Sequence, residues 1–246
     1  MPAQLEVGKV VLGAFLVPWW NRRAFVRALA IPFSAIATLY LSWYYAQQYL
    51  PSLLSWLLAF LSGVLFVLFA VKCHRLVLLD PRSVAAQLKP QWSWRETRFF
   101  VWLLIVYVIV GTALVVASTL LLNVVLWIIK PLPENRLGWS VYAAQVPALY
   151  VFARLCLVFP ATAVDRRVTL KWAWRLSKRN GWRLFLIVAV LPWVLSYLVT
   201  LFYREKASVM ETVAITSVGV AVLAFEIAAL SLSYRELTRE EATKPT

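Results

Sequence analysis

The chain has 246 residues, of which 62% are hydrophobic and 15% charged, with a mean hydropathy of +0.75 and a formal net charge of +14. A soluble domain of this size has no interior able to hide so much apolar surface, so lipid is the solvent that fits. The basic excess does not indicate nucleic acid, because the cations flank apolar runs, where they set topology and meet anionic lipid.

A helix needs roughly 20 apolar residues to cross a bilayer, so the length allows about six spans with short loops. The sequence predicts an all-α integral membrane protein: one polytopic domain over 1–246, with an interfacial segment at 1–23, a six-span bundle over 24–233 and a cytoplasmic tail at 234–246. The first apolar stretch, Val10 to Val17, runs into Pro18, Trp19, Trp20, Asn21, Arg22 and Arg23. It lacks the small-residue cleavage site of a signal peptide and reads as a short helix at the membrane surface. The predicted spans are Ala28 to Gln47, Leu53 to Val71, Phe99 to Ile129, Trp139 to Pro160, Leu184 to Phe202 and Val213 to Ser233. The third is too long for a single crossing and is expected to begin or end in the interface.

Orientation follows from Lys and Arg. One side carries Lys9, Arg22, Arg23 and Arg27 before the first span, then Lys72, Arg75, Arg82, Lys89, Arg95 and Arg98 between the second and third. The same side has Arg166, Arg167, Lys171, Arg175, Lys178, Arg179 and Arg183 between the fourth and fifth, then Arg235, Arg239 and Lys244. The other side has only Lys130, Arg136, Arg204 and Lys206. Positive charge stays in the cytoplasm, which puts both termini there and pairs the spans into three hairpins. Each hairpin is entered through tryptophan and arginine: Trp19 to Arg23, Trp92 to Arg98, and Trp182 with Arg183. This is either three returns to one headgroup layer or a triplicated unit, and both readings stay open.

Cytoplasmic interfacial amphipathic helices are expected, and the clearest lies between spans four and five. Arg167, Lys171, Arg175, Lys178 and Arg179 share one arc; Leu170, Trp172, Ala173, Trp174 and Leu176 occupy the other. Such a helix would lie in the interface with its cations toward lipid headgroups or a partner, or simply anchor the chain. In span six the small residues Ala214, Ser217, Ala221, Ala224, Ala228 and Ser231 recur at three and four, a face suited to close helix packing.

Two charges stand inside predicted spans, Arg154 in the fourth and Glu226 in the sixth. A lipid-facing charge costs several kcal/mol, so an Arg154–Glu226 pair is the economical expectation, either as a structural ion pair or as a ligand, ion or proton site. Cys73 and Cys156 do not have the spacing of a disulfide framework, and His74 has only Cys73 and Asp80 as candidate companions, so no metal and no cofactor are expected. The sequence contains no paired-carboxylate, serine-triad or phosphate-loop motif. An interfacial site built on His74 and Asp80 is the enzymatic alternative.

Cys73 through Asp80, Ala153 to Leu155, Phe159 through Asp165, Ala173 with Trp174, Asn180 to Arg183 and Ser233 to Leu237 carry a resemblance over most of the chain. Together they resemble a broad, poorly characterised group of six-helix bacterial inner-membrane proteins, and are similar to the membrane domain attached to some glycerophosphodiester phosphodiesterases. The resemblance implies a bacterial inner-membrane location, and a shared structural pattern for Arg154 and the turn from Pro160 to Asp165. The catalytic domain of those fused enzymes has no counterpart here. The function expected is that of a non-enzymatic accessory or scaffolding protein, with anionic lipid and a membrane-protein partner as its contacts. A small transporter or channel using Arg154 and Glu226 is the alternative.

Overall fold

The computed structural model describes residues 4–49, 52–86, 92–128, 135–201 and 209–242. Lys89, Ile129, Lys130, Glu134, Phe202, Arg204, Lys206 and Lys244, which enter the span and orientation arguments, lie outside the described residues. Among those described, all regular structure is helical. In chain order the helices are α1 (Val7–Trp20), α2 (Arg22–Tyr49), α3 (Ser52–Leu78), α4 (Pro81–Ala86), α5 (Trp94–Ile128) and α6 (Asn135–Leu155). They continue with α7 (Val158–Ala163), α8 (Leu170–Leu176), α9 (Gly181–Phe185), α10 (Leu191–Thr200) and α11 (Val209–Ala242).

Five helical stretches are long and apolar enough to cross a membrane, the pattern of a multi-pass membrane protein: Leu53–Leu78, Trp94–Val124, Ala143–Ala163, Gly181–Val199 and Met210–Arg239. The predicted first span lies on α2, whose 28 residues reach about 42 Å at 1.5 Å per residue. It is not among the five, which are drawn from the described residues alone, and the side chains of 40, 41 and 43–49 lie outside these. The predicted fourth span is broken after Leu155, where the chain turns through Cys156 and Leu157 into α7. In the fifth, α9 passes through a π-helical turn, Leu186–Val190, before α10. Pro192 explains that turn: it has no N–H to give to Val188, and its ring crowds that carbonyl, so the helix widens locally. The segment read as a tail from residue 234 instead continues α11, with Tyr234 and Leu237 buried.

Sequence neighbours pack pairwise, α2 along α3, α5 along α6 and α10 along α11, while α11 also meets α1, α2 and α3. Burial is sharply graded along the helices. Val67 to Leu76 in α3, Phe99 and Val106 in α5, the α6–α7 junction, Leu184 and Ile187, and Phe225 to Leu237 in α11 form the core. All belong to the ends bearing the basic segments. At the other ends Leu53 is 80% and Trp127 85% exposed. Apolar side chains pointing into lipid lose nothing by doing so, so only the basic end must be tightly packed. There Gly181 allows α9 to meet α6: a Cβ on it would lie 2.6 Å from the Tyr150 hydroxyl.

α1 closes this end from outside. Val10 and Ala14 are buried, Phe15 stacks on Phe225 of α11 at 4.1 Å between ring centroids, and the Leu5 amide donates to Asn180 Oδ1 at 3.0 Å. The Asn21 amide donates to the Val17 carbonyl at 3.2 Å and its side-chain Nδ2 to the same oxygen at 3.1 Å, which ends α1 and turns the chain into α2.

Candidate interfacial site at the basic end

The short helix α8 is the centre of the polar arrangement. Thr169 caps its start, its hydroxyl accepting from the Trp172 amide at 3.2 Å. At the other end the last carbonyls of a helix lack intrahelical donors and carry partial negative charge. Arg154, 7% exposed at the end of α6, supplies both donors and charge. Its Nη2 donates to the Trp174 carbonyl at 2.6 Å and its Nε to Ser177 Oγ at 3.0 Å. The guanidinium also lies 3.7 Å from the Trp174 ring centroid and 5.9 Å from that of Tyr150. A planar, permanently charged fork is the one side chain able to cap and stack at once.

These contacts correct the expected Arg154–Glu226 pair. No ion pair joins the two among the described residues. Arg154 is occupied by main-chain oxygens and an aromatic face, whereas Glu226 is half-buried in α11. The small-residue face of α11 also differs along its length. Ala228 and Ser231 are fully buried, and Ser231 Oγ lies 2.7 Å from His74 Nδ1 of α3. Ala214 and Ala221 are exposed, with Ser217 and Ala224 half-buried, so close packing is confined to the basic end.

The cations of the predicted arc stand free of the core, but only Lys171 and Arg175 lie on α8, with Arg167 before it and Lys178 and Arg179 in the turn that follows. Arg167, Lys171, Arg175, Lys178 and Arg179 are all exposed, while Ala173 is buried. The tryptophans of the opposite arc meet protein: Trp172 packs edge-on to Tyr234 of α11, under the Arg166 guanidinium, and Trp174 lies under Arg154. Docking α8 against α6 and α11 thus fixes its cations outward.

A second cluster was not foreseen. Asp165 adopts φ 63°, the left-handed conformation, at the end of α7. The Arg166 amide reaches back to the Ala161 carbonyl at 2.9 Å and the Asp165 amide to that of Thr162 at 3.0 Å, the double bond of a Schellman cap. This reversal aims the carboxylate at three guanidiniums: Arg95 Nη1 at 3.1 Å, and Arg75 Nη1 and Arg98 Nη2 at 3.4 Å each. Arg75 also donates to the Ala163 carbonyl, and Arg95 pairs with the buried Glu96, itself bound by Ser93. One turn therefore joins α3, α5 and α7. The segments that carry the resemblance (Cys73 to Asp80, Phe159 to Asp165, Ala173 with Trp174, Ser233 to Leu237) meet at this end of the bundle.

His74 and Asp80 do not form a site together. His74 is buried against Ser231, whose hydroxyl donates onward to the Ile227 carbonyl at 2.7 Å. Asp80 caps α4, accepting from the Arg82 and Ser83 amides at 3.3 and 3.1 Å. Cys73 and Cys156 are buried free thiols. Among the described residues no cluster of His, Cys, Asp and Glu is arranged to hold a metal ion. Comparison with protein-family models, with curated proteins and with solved structures finds no match.

Proposed function

We propose that this chain is a non-enzymatic accessory or scaffolding protein of the bacterial inner membrane, crossing it six times with both termini cytoplasmic. It presents α8 to anionic lipid or to a membrane-protein partner. The observation that carries the reading is the division of labour around α8: Arg154 and the two tryptophans hold it from inside, leaving five cations outward. A cation near an anionic leaflet gains about 1 kcal/mol, so several act together strongly. Changing Arg167, Lys171, Arg175 and Arg179 together to Gln is expected to reduce anionic lipid or partner recovered in mild detergent at least about tenfold, with insertion intact. Mass spectrometry of the purified particle measures this, and unchanged recovery would remove the proposal.

Glu226 supports a second reading, a small transporter or channel. A carboxylate within a membrane-crossing helix is costly unless it serves a path or a partner, and none of the ion pairs among the described residues engages it. This reading expects flux of an ion or solute across proteoliposomes that Glu226→Gln alters; flux blind to that change would rule the site out.

A further inference from the structure

Beside the packed end an apolar groove of about 750 Å³ opens between α1, α2 and α11. Phe15 of α1, Val26, Ala30 and Phe33 of α2, and Ala221 and Phe225 of α11 line it. It is where the small-residue face of α11 is left unpacked. Such a space takes up apolar matter and not water.

The arrangement of α2 defines what fits. Arg22, Val26, Leu29 with Ala30, and Phe33 follow one another at four, three to four, and three to four residues, so they form a single stripe along the helix. The stripe begins with a cation and becomes wholly apolar. From Arg22 to Phe33 it rises about 16 Å, close to the roughly 15 Å depth of one leaflet's hydrocarbon. One turn before Val26, and next in sequence to the lining residue Pro18, the exposed Trp19 lies under the Arg22 guanidinium, 5.8 Å away. Tryptophan and arginine are the residues of the headgroup layer.

Between Val7 and Leu79, all of α1, α2 and α3, the sequence has no Asp or Glu. Among the described residues no ion pair engages Arg22, Arg23 or Arg27, all of which are exposed. We infer that the groove is a binding site for an anionic phospholipid, one acyl chain lying along α2 and α11 and the phosphate held by Arg22 beside Trp19. The inference rests on reading α2 and α11 as membrane-crossing, but needs neither the scaffolding role nor the cations of α8.

The test uses the intact chain in phosphatidylcholine vesicles containing a little phosphatidylglycerol with a diazirine midway along its acyl chain. After irradiation, adducts are mapped by mass spectrometry. They are expected to concentrate in 26–33 and 218–225, and Arg22→Gln is expected to lower their yield about fivefold. Ala30→Trp, which fills the groove, should abolish adducts at 218–225; Ala221→Leu serves the same purpose if the larger change prevents folding. The fourfold α8 variant is expected to leave the yield unchanged, so this site and the scaffolding proposal stand or fall separately. Adducts spread evenly over the lipid-facing surface of α5 would overturn the inference. So would equal yield from a phosphatidylcholine probe, or a yield that follows the α8 charges instead of Arg22.

Discussion

Replacing Arg154 with Met is expected to lower the stability of the fold by about 3 kcal/mol, the largest effect of any single polar substitution here. Two hydrogen bonds from a charged donor are each worth about 1.5–3 kcal/mol, and a desolvated cation–π contact about 2. Against these stands the cost of keeping a guanidinium 7% exposed, which the mutant no longer bears. The loss should be local at first. With the end of α8 uncapped, trypsin is expected to cut faster between Arg167 and Arg179 at temperatures where the spans still resist detergent melting. Arg154→Lys should recover less than half of the loss, since an ammonium can neither fork between Ser177 Oγ and the Trp174 carbonyl nor stack as a plane. A Met variant that melts and digests like the parent would mean that Thr169 and the Trp172–Tyr234 contact hold α8 unaided.

Asp165 should show an ordering more informative than any one value. Removing its carboxylate leaves Arg75, Arg95 and Arg98 facing one another with only Glu96 nearby, a loss of about 2 kcal/mol for a partly buried network. The backbone adds a second effect, because φ 63° suits Gly and Asn but costs a Cβ-bearing residue such as Ala about 1 kcal/mol more. Thermal melts are therefore expected to rank Asp165→Asn and Asp165→Gly above Asp165→Ala. The carboxylate is 53% exposed, so high salt should shrink the charge-dependent part and leave the Gly-to-Ala gap intact. Equal losses in all three would show that the left-handed conformation contributes nothing, and no loss in any of them would remove the three-arginine contact as well.

The helices were legible because each long apolar run is its own signal, and α3, α5 and α11 follow it closely. The partner of Arg154 was not, for a physical reason. Sequence patterns display side-chain charges, so a lone arginine within a span points to a lone glutamate; its real partner is a main-chain carbonyl, which every residue has. The same holds for Asp165. Its three arginines come from two different segments, and the left-handed turn that aims it is a backbone event without a glycine to announce it. The small-residue face of α11 was visible, but whether a helix or a lipid tail covers each part depends on where α1 and α2 lie. The sequence places five cations on one arc of a single helix, whereas α8 covers only Leu170–Leu176, with Arg167, Lys178 and Arg179 on the segments flanking it. Its tryptophans meet α6 and α11.

The way α1 is held has a consequence for the order of assembly. Its partners are Asn180, which receives the Leu5 amide, and Phe225 on α11, which stacks on Phe15. During synthesis α1 emerges well before the surfaces it covers. Until α11 is made, Phe15 of α1 has no ring to stack on. α11 thus fastens α1, and a nascent chain halted before Phe225 would leave both α1 and the groove beside it without their far wall.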